Sequence, residues 1–164
     1  MKEEIAKGKI IFPENFIFGT STSAYQIETA FEHDWRGVKS RDGHIFDRTT
    51  DHEKKVAEDV SIIASLAPGY RMSLMWSKLQ QQPFGELDEH TKNEYHRLLA
   101  RLQANGTSIM MVLHHFTNPL WFSKKGGWEK TENIALWEDY ARKLVDEYGS
   151  YVSLWNTFNE PNLY

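Results

Sequence analysis

The hydrophobic residues of this chain fall into two patterns that alternate along its length. Short, nearly continuous apolar runs such as "SIMMVL" are typical of strands that are buried on both faces. Between these runs, apolar residues recur at every third or fourth position, which is typical of amphipathic helices packed on a core. We therefore predict four strands, at residues 16–28, 70–76, 108–116 and 152–160, with a helix in each interval between them.

Each predicted helix has one apolar stripe, and residues that favour helix ends flank it. The expected capping residues at the three starts are Asp51, Asp88 and Thr131, and the terminating residues are Pro68, Gly69, Asn105, Gly106 and Gly149. The stripes are, in chain order, Val56, Val60, Ile63 and Leu66; Tyr95, Leu98, Leu99 and Leu102; and Ile134, Trp137, Tyr140, Ala141, Leu144, Val145 and Tyr148.

Strands that alternate with helices predict an α/β fold, in which a parallel sheet is built with right-handed crossovers. Ligands of such sheets bind at the carboxyl ends of the strands. No glycine-rich phosphate-binding loop follows any predicted strand, which argues against a nucleotide-binding fold. Polar residues are concentrated at the carboxyl ends of the strands: Gln26, Glu28, Ser77, Lys78, His114, His115, Asn159 and Glu160.

Composition narrows the class of protein. The 164 residues, 40% of them hydrophobic, predict one globular domain with a substantial core. The net charge of −4 comes from interspersed signs, so a nucleic-acid partner is not expected. Without cysteine the chain has no disulfides and no thiolate metal site. No apolar run resembles a signal peptide or a membrane span, so we expect a cytoplasmic protein with no membrane partner.

The aromatic content of 13% has two interpretations. Most large rings fill cores, but exposed ones can also contact a carbohydrate or another ring-shaped ligand. For Trp76 and Trp128 we expect the core role.

Glu160 is the candidate residue for acid/base chemistry. It follows an apolar run in "SLWNTFNEPNLY", and Pro161 disfavours helical geometry at Glu160. Asn159 beside it is a candidate donor to a polar ligand. Neighbouring side chains of a regular strand face opposite ways, so both residues can serve one site only if the strand end is irregular.

The strand-end segments resemble glycoside hydrolase family 1, a family of β-glucosidases and β-galactosidases. The likeness runs from about Phe12 to Tyr164, and five segments carry it in order. They are "FPENFIFGTSTSAYQIE", "DHEKKVAEDV", "YRMSLMWS", "LHHFTNPLWF" with "KGGW", and "TFNEPN". The family fold is a TIM (β/α)8 barrel and its mechanism retains the anomeric configuration. The resemblance thus implies that residues 1–164 form one half-barrel domain with strands 1–4 of such a barrel.

The resemblance also implies roles for individual residues. Glu160 matches the family's acid/base, and Asn159 matches the residue that hydrogen-bonds the sugar 2-hydroxyl. Gln26 and His115 match residues that bind other hydroxyls, and Phe116 stands in the substrate site where many members carry Trp. Arg71 matches the arginine that orients the nucleophile. No cofactor or metal is implied, and a metal site at His114 and His115 is rejected because neighbours on a strand point apart.

The chain departs from the family in one decisive respect. The nucleophile glutamate of strand 7, with its Thr-Glu-Asn-Gly type motif, is absent. Four strands also cannot close a barrel that typically takes about 250 residues. Strands 1 and 4 would be open edges, so we predict that the half-barrel forms a homo-oligomer or pairs with a complementary half-barrel chain.

Three functional hypotheses remain open from the sequence. The chain is a retaining β-glycosidase-like enzyme that acts on a β-linked sugar once a second carboxylate is supplied. Alternatively, it is a non-catalytic sugar-binding or structural fragment that oligomerises. In the third, it is a truncated or engineered piece of a longer enzyme.

Overall fold

The computed structural model describes residues 10–28, 32–45 and 49–163. Its central element is one four-stranded sheet in the order β1-β2-β3-β4, and every neighbouring pair is parallel. The register places Ser21 beside Arg71, Arg71 beside Met110, and Met110 beside Leu154. This confirms the predicted parallel α/β arrangement. The strands are β1 (Gly19–Ser21), β2 (Gly69–Ser73), β3 (Ser108–His114) and β4 (Leu154–Phe158).

Helices connect successive strands, and the three long ones lie where the apolar stripes predicted them. The α-helices are α1 (Ala24–Ile27), α2 (His52–Leu66), α3 (Trp76–Leu79), α4 (Glu89–Ala104), α5 (Leu120–Lys124) and α6 (Ile134–Tyr148). Short 3-10 turns occupy Gly127–Glu129, Thr131–Asn133, Gly149–Tyr151 and Pro161–Leu163.

The predicted strands are too long at their carboxyl ends. The run at residues 16–28 contains only the three strand residues of β1, and the helical turn α1 follows. The ladder to β2 closes when Thr22 N donates to Arg71 O at 3.0 Å, and the backbone of Ala24 then donates to the Ser73 hydroxyl at 3.0 Å. Likewise β2 ends at Ser73 rather than at residue 76, and Trp76 begins α3. The apolar runs extend past the last residue that is hydrogen-bonded to a neighbouring strand. A strand ends where this hydrogen bonding ends, so the apolar runs overestimate strand length.

One of the three predicted helix N-caps is confirmed. The Asp88 carboxylate accepts a hydrogen bond from Thr91 N at 2.8 Å, which lowers the pKa of Asp88. The prediction for Asp51 is wrong, because this residue precedes α2 in a left-handed conformation (φ 56°) and its side chain makes no capping bond. The prediction for Thr131 is also wrong, since a 3-10 turn intervenes and α6 begins at Ile134.

The helix ends follow the predictions more closely. Asn105 is the C-cap of α4, and Gly106 has the positive φ of 75° that glycine adopts without strain. Gly149 caps α6. Helix α2 ends at Leu66, just before the predicted terminators Pro68 and Gly69, because Ala67 is already extended ahead of Pro68.

One face of the sheet packs under the helices and forms the core. Alternate residues of β2 and β3, such as Met72, Ile109 and Met111, meet the stripes of α4 and α6. Leu99 and Leu144, from those two helices, are completely buried. Trp76 and Trp128 belong to this core, as predicted: Trp76 is buried and stacks on Tyr140, and Trp128 packs against the buried cluster. Three stripe residues are instead exposed, namely Leu66, Ile134 and Val145.

The opposite face of the sheet is open. It presents a groove of about 400 Å³ lined by residues of all four strands, including Arg71, Met110 and Leu154. Within the described residues, β1 pairs only with β2 and β4 only with β3, so both edges lack a further strand. Leu154 on the β4 edge is 48% exposed. The sheet thus has one face that is closed by helices and one face that is open.

Candidate active site

A pocket of about 330 Å³ lies where the carboxyl ends of β1, β3 and β4 meet. It brings together five of the residues that the sequence singled out: Gln26, His115, Phe116, Asn159 and Glu160. They come from three segments that follow β1, β3 and β4, and the parallel sheet places these segments at one edge. Ser23, Tyr25 and Trp35 complete the lining.

The end of β4 is irregular, as the shared use of Asn159 and Glu160 required. Regular pairing ends at Phe158, and Asn159 N still donates to His114 O at 3.0 Å. Glu160 then adopts a left-handed conformation with φ of 47°, which is uncommon for a residue other than glycine. This turn lets both side chains line the same pocket, where Asn159 Nδ2 lies 3.4 Å from Glu160 Oε2.

Arg71 lies behind the pocket and fixes the amide of Asn159. Its Nη2 donates to Asn159 Oδ1 at 2.8 Å. The carboxamide oxygen is therefore used by the protein, and the Nδ2 group remains directed to the side of Glu160. Arg71 comes from β2, so this hydrogen bond links the middle of the sheet to its β4 edge.

His115 presents a neutral imidazole to the pocket. Burial, together with the positive charge of Arg71 and the neighbouring His114, lowers its pKa to about 4. Its buried Nδ1 has no hydrogen-bond partner in the part of the chain that the structure describes. Because Nδ1 is buried, the other ring nitrogen is the one that can meet a ligand hydroxyl, as donor or acceptor according to the tautomer.

The chain matches a known protein family over nearly its whole length. The model described as "Glycosyl hydrolase family 1" matches residues 8–164. The chain belongs to glycosyl hydrolase family 1. The resemblance drawn from the five segments is therefore confirmed.

Known members of glycosyl hydrolase family 1 align with most of this chain. It is 31% identical over 167 residues to "Beta-glucosidase A" of Acetivibrio thermocellus, covering 94% of this chain and 37% of that protein. The structure of a β-glycosidase from Pyrococcus horikoshii is similar with a TM-score of 0.81 and 36% identity, covering 93% of this chain and 36% of that one. The β-glucosidase from Thermotoga maritima in complex with deoxynojirimycin gives 0.83 and 30%, covering 92% and 37%.

This chain spans little more than a third of the length of these family 1 proteins. The aligned part holds four parallel strands with their intervening helices. The predicted fold class, half of a TIM (β/α)8 barrel, is therefore confirmed. In the described ranges no helix has the length and apolar character needed to cross a membrane.

His114, the neighbour of His115 in this family 1 chain, has different surroundings from His115. His114 is buried, its Nε2 lies 2.9 Å from Asn118 Oδ1, and its ring packs edge-on against Trp128. Burial lowers its pKa to about 4, against the opposing effect of the Asn118 hydrogen bond. The two histidines thus serve different parts of the structure. Among the described residues, no group of three or more His, Asp or Glu is arranged to hold a metal ion.

An aromatic wall borders the candidate site, and sequence reasoning identified only one of its members. The Phe116 ring lies 4.5 Å from Trp35 and 5.3 Å from Tyr25, measured between ring centroids. Phe116 has a positive φ of 74°, an unusual conformation for an aromatic residue. Trp35 is 40% exposed in a polar loop, and an isolated Trp there is the sequence feature that could have pointed to it.

One tripeptide has the same residues as the start of the family's nucleophile motif but lies elsewhere in the fold. Residues Thr131, Glu132 and Asn133 spell Thr-Glu-Asn, and Ile134 follows where the motif has Gly. They form a 3-10 turn ahead of α6 with Glu132 exposed, while the Asn133 amide donates to Gly127 O at 2.9 Å. None of the three lines the pocket, so this turn supplies no second carboxylate to Glu160.

Proposed function

We propose that this chain forms the acid/base side of a family 1 β-glycosidase site that hydrolyses β-glucosides or β-galactosides. The observation that supports this function is the single pocket that gathers Glu160 with the polar groups of Gln26, His115 and Asn159. Its similarity to proteins named β-glucosidase points to the same class of substrate. None of the described residues lining the pocket is Lys or Arg, so a neutral sugar suits it better than a sugar phosphate.

In this proposal Glu160 transfers the protons. It donates a proton to the glycosidic oxygen as the bond from that oxygen to the anomeric carbon breaks, and the leaving group departs as an alcohol. The second carboxylate, which the described residues do not supply to the pocket, bonds to the anomeric carbon in that first step. In the second step Glu160 takes a proton from the water that attacks the anomeric carbon and displaces this carboxylate. Asn159, fixed by Arg71, donates to the sugar 2-hydroxyl, and this contact strengthens in the transition state. Gln26 and His115 bind further hydroxyls, while Phe116 contacts the ring.

Retention of configuration requires a second carboxylate about 5–5.5 Å from Glu160. Glu160 is the only carboxylate among the described residues that line the pocket. We therefore propose that the nucleophile comes from sequence beyond these 164 residues or from another chain, and that Arg71 orients it. A half-buried arginine beside the pocket is a suitable partner for that incoming carboxylate.

The open edges of β1 and β4 indicate how such a partner would dock. We propose that strands from a complementary half-barrel, or from a second copy, pair with these edges and cover the groove beside Met110 and Leu154. In a dimer of two copies around a two-fold axis, the second β4 would occupy the position of strand 8, whereas the family nucleophile is on strand 7. A homodimer would therefore not reproduce the retaining spacing, and we expect it to have weak or no retaining activity.

A second candidate function is sugar binding without hydrolysis. Among the described lining residues Glu160 is the one carboxylate, while Gln26, His115 and Asn159 offer groups that can bind hydroxyls, and this favours sugar binding for the isolated chain. The two functions differ in one measurable property: both predict sugar binding, and only the first predicts turnover.

The experiment measures binding of deoxynojirimycin by calorimetry and hydrolysis of a nitrophenyl β-glucoside, with light scattering to give the oligomeric state. The key variant is Glu160→Gln, which should lower any hydrolysis of an unactivated β-disaccharide by roughly 10²–10⁴-fold, the usual contribution of a positioned acid/base. The loss should be smaller with nitrophenyl leaving groups, which need little protonation.

The matched control is Glu132→Gln, which alters the exposed glutamate of the Thr-Glu-Asn tripeptide and should leave turnover unchanged. Full turnover of a disaccharide by Glu160→Gln would refute its acid/base role. Retained configuration in hydrolysis by this chain alone would refute the missing nucleophile, and a stable monomer at micromolar concentration would refute the docking proposal.

A further inference from the structure

An ion cluster centred on the buried Glu28 lies next to the candidate site in the chain, since Glu28 follows Gln26 by two residues. Lys78 Nζ, on α3, donates to Glu28 at 2.9 Å and to Glu53 of α2 at 2.7 Å. The Tyr95 hydroxyl, on α4, donates to the same Glu28 carboxylate at 2.7 Å and accepts from Met75 N at 3.1 Å. The Glu28 carboxylate therefore joins the end of α1 to α3 and α4, and Lys78 extends the cluster to α2. None of the chemistry proposed above uses it.

Glu28 is the residue that immediately follows α1, the turn that carries Gln26. This turn has four residues, too few to be stable by itself in water. At its start, Ala24 N is held by the Ser73 hydroxyl at 3.0 Å. At its end, Glu28 N donates to Ala24 O at 2.9 Å, and the Glu28 side chain enters the ion cluster. Gln26 lies between these two attachments and lines the pocket.

The charges in the cluster permit little displacement. Burial raises the pKa of Glu28 in spite of the opposing effects of Lys78 and Tyr95. Burial also disfavours the charge on Lys78, but attraction to Glu28 and the hydrogen bonds to both carboxylates raise the pKa of its ammonium overall. Removing one partner from a buried ionic group leaves an unpaired charge, which then has to take up a proton or move toward water. Because Glu28 is two residues from Gln26, any such movement displaces the α1 turn.

We propose that Glu28, held by Lys78 and Tyr95, is a positioning residue that fixes Gln26 at the sugar pocket. The role of Gln26 toward sugar rests on the proposed function, whereas its position can be measured without any ligand. The competing interpretation is that the cluster only joins α2, α3 and α4. In that case its loss would lower stability and leave Gln26 in place.

The ligand-free experiment reads the side-chain amide resonances of Gln26 by NMR, assigned by their loss in Gln26→Ala. Lys78→Met should shift or broaden these resonances, and Lys78→Arg, which restores a cation, should return them toward the wild-type positions. The control is Lys143→Met, which removes a similarly buried lysine that bonds Asp139 at 3.0 Å and Gly85 O at 2.9 Å, away from the pocket. It should lower the melting temperature without moving the Gln26 resonances.

Tyr95→Phe is a milder variant, and it tests whether the cluster positions Gln26 even if Lys78→Met fails to fold. It removes one hydrogen bond to Glu28 and leaves the ion pair, so a smaller shift of the same resonances is expected. Unchanged Gln26 resonances in whichever of these variants folds, with melting temperatures that fall as in Lys143→Met, would overturn the proposal.

The sugar experiment is a double-mutant cycle with deoxynojirimycin as the probe. Lys78→Met should weaken binding about tenfold in the wild-type chain, as expected for a misplaced hydrogen-bonding group. In the Gln26→Ala background it should have almost no effect, because the cluster acts through Gln26. Equal losses in both backgrounds would overturn the positioning role. If the wild-type chain binds no probe, the proposed function fails, while the Gln26 resonances still decide the positioning proposal.

Discussion

The two faces of the sheet differ in how completely they are buried. The helix-covered face is apolar and closed: Ile109, Met111 and Leu99 have no exposed surface. The open face mixes Arg71 with Met110 and the half-exposed Leu154, and the candidate site lies at its carboxyl edge. The closed face holds the buried apolar cluster of the fold. The open face carries the proposed chemistry, and no helix of the described residues covers it.

The largest effect on stability is expected from the closed face. Leu99→Ala deletes a completely buried side chain between α4 and the sheet, so the free energy of unfolding should fall by about 2–5 kcal/mol. Leu154→Ala, its matched control on the open face, should change stability by about 0.5 kcal/mol or less. Urea titration followed by circular dichroism measures both values. Equal losses would show that the open face is packed in solution, as it would be in a tight oligomer.

Acidification should also lower the stability of the fold, through the buried His114. The pKa of His114 is lowered to about 4 by burial, so the unfolded chain, with its ordinary value near 6.5, binds the proton more readily. Stability contributed by the neutral His114 is therefore complete above about pH 6.5 and is lost as the pH falls toward 4. A shift of this size corresponds to about 3 kcal/mol.

The pH dependence can be tested by urea titrations between pH 4 and pH 7. His114→Gln should flatten the slope of stability against pH, although part of the slope remains because His115 has a similarly lowered pKa. His90→Gln alters an exposed histidine on α4 and should leave the slope as it is. An unchanged slope in His114→Gln would contradict the assignment.

A smaller effect is expected where β1 meets β2. A Cβ atom added at Gly69 would lie 2.8 Å from Ile17 Cγ2 and 2.9 Å from Phe18 O, so Gly69→Ala should destabilise the chain by about 1–3 kcal/mol. Gly149→Ala is the control, since nothing lies within 4 Å of its added Cβ and its φ is −55°. It should be neutral or slightly stabilising in a thermal melt. A neutral Gly69→Ala would mean that β1 is displaced from the place described.

The smallest expected effect is on ligand discrimination at the open edge. Asn159→Ala should weaken binding of a sugar analogue about tenfold, and the loss should nearly vanish for the 2-deoxy form because the missing partner is the 2-hydroxyl. Arg71→Lys should produce part of the same loss, since it keeps a positive charge but not the guanidinium that holds Asn159. Equal losses of affinity for the intact and 2-deoxy analogues would count against this contact.

Much of the candidate site could be predicted because it depends on local sequence. Gln26, His115, Asn159 and Glu160 each follow an apolar run, and parallel strands bring their carboxyl ends to one edge. Trp35 was missed because it lies in a polar loop where no periodic pattern constrains its direction. The capping prediction at Asp51 failed because its backbone is left-handed, and residue type alone does not reveal that conformation.

The sequence by itself determined the alternation of strands and helices, the membership in glycosyl hydrolase family 1 and the residue types at the strand ends. These features follow from the periodicity of apolar positions and from short motifs, which are properties of neighbouring residues. The tertiary structure decided where strands stop, which helix faces stay exposed, and how Glu28, Lys78, Glu53 and Tyr95 meet. These outcomes depend on partners distant in the chain: Glu28 and Tyr95 are 67 residues apart, and their contact exists only once the sheet has brought α1 and α4 together.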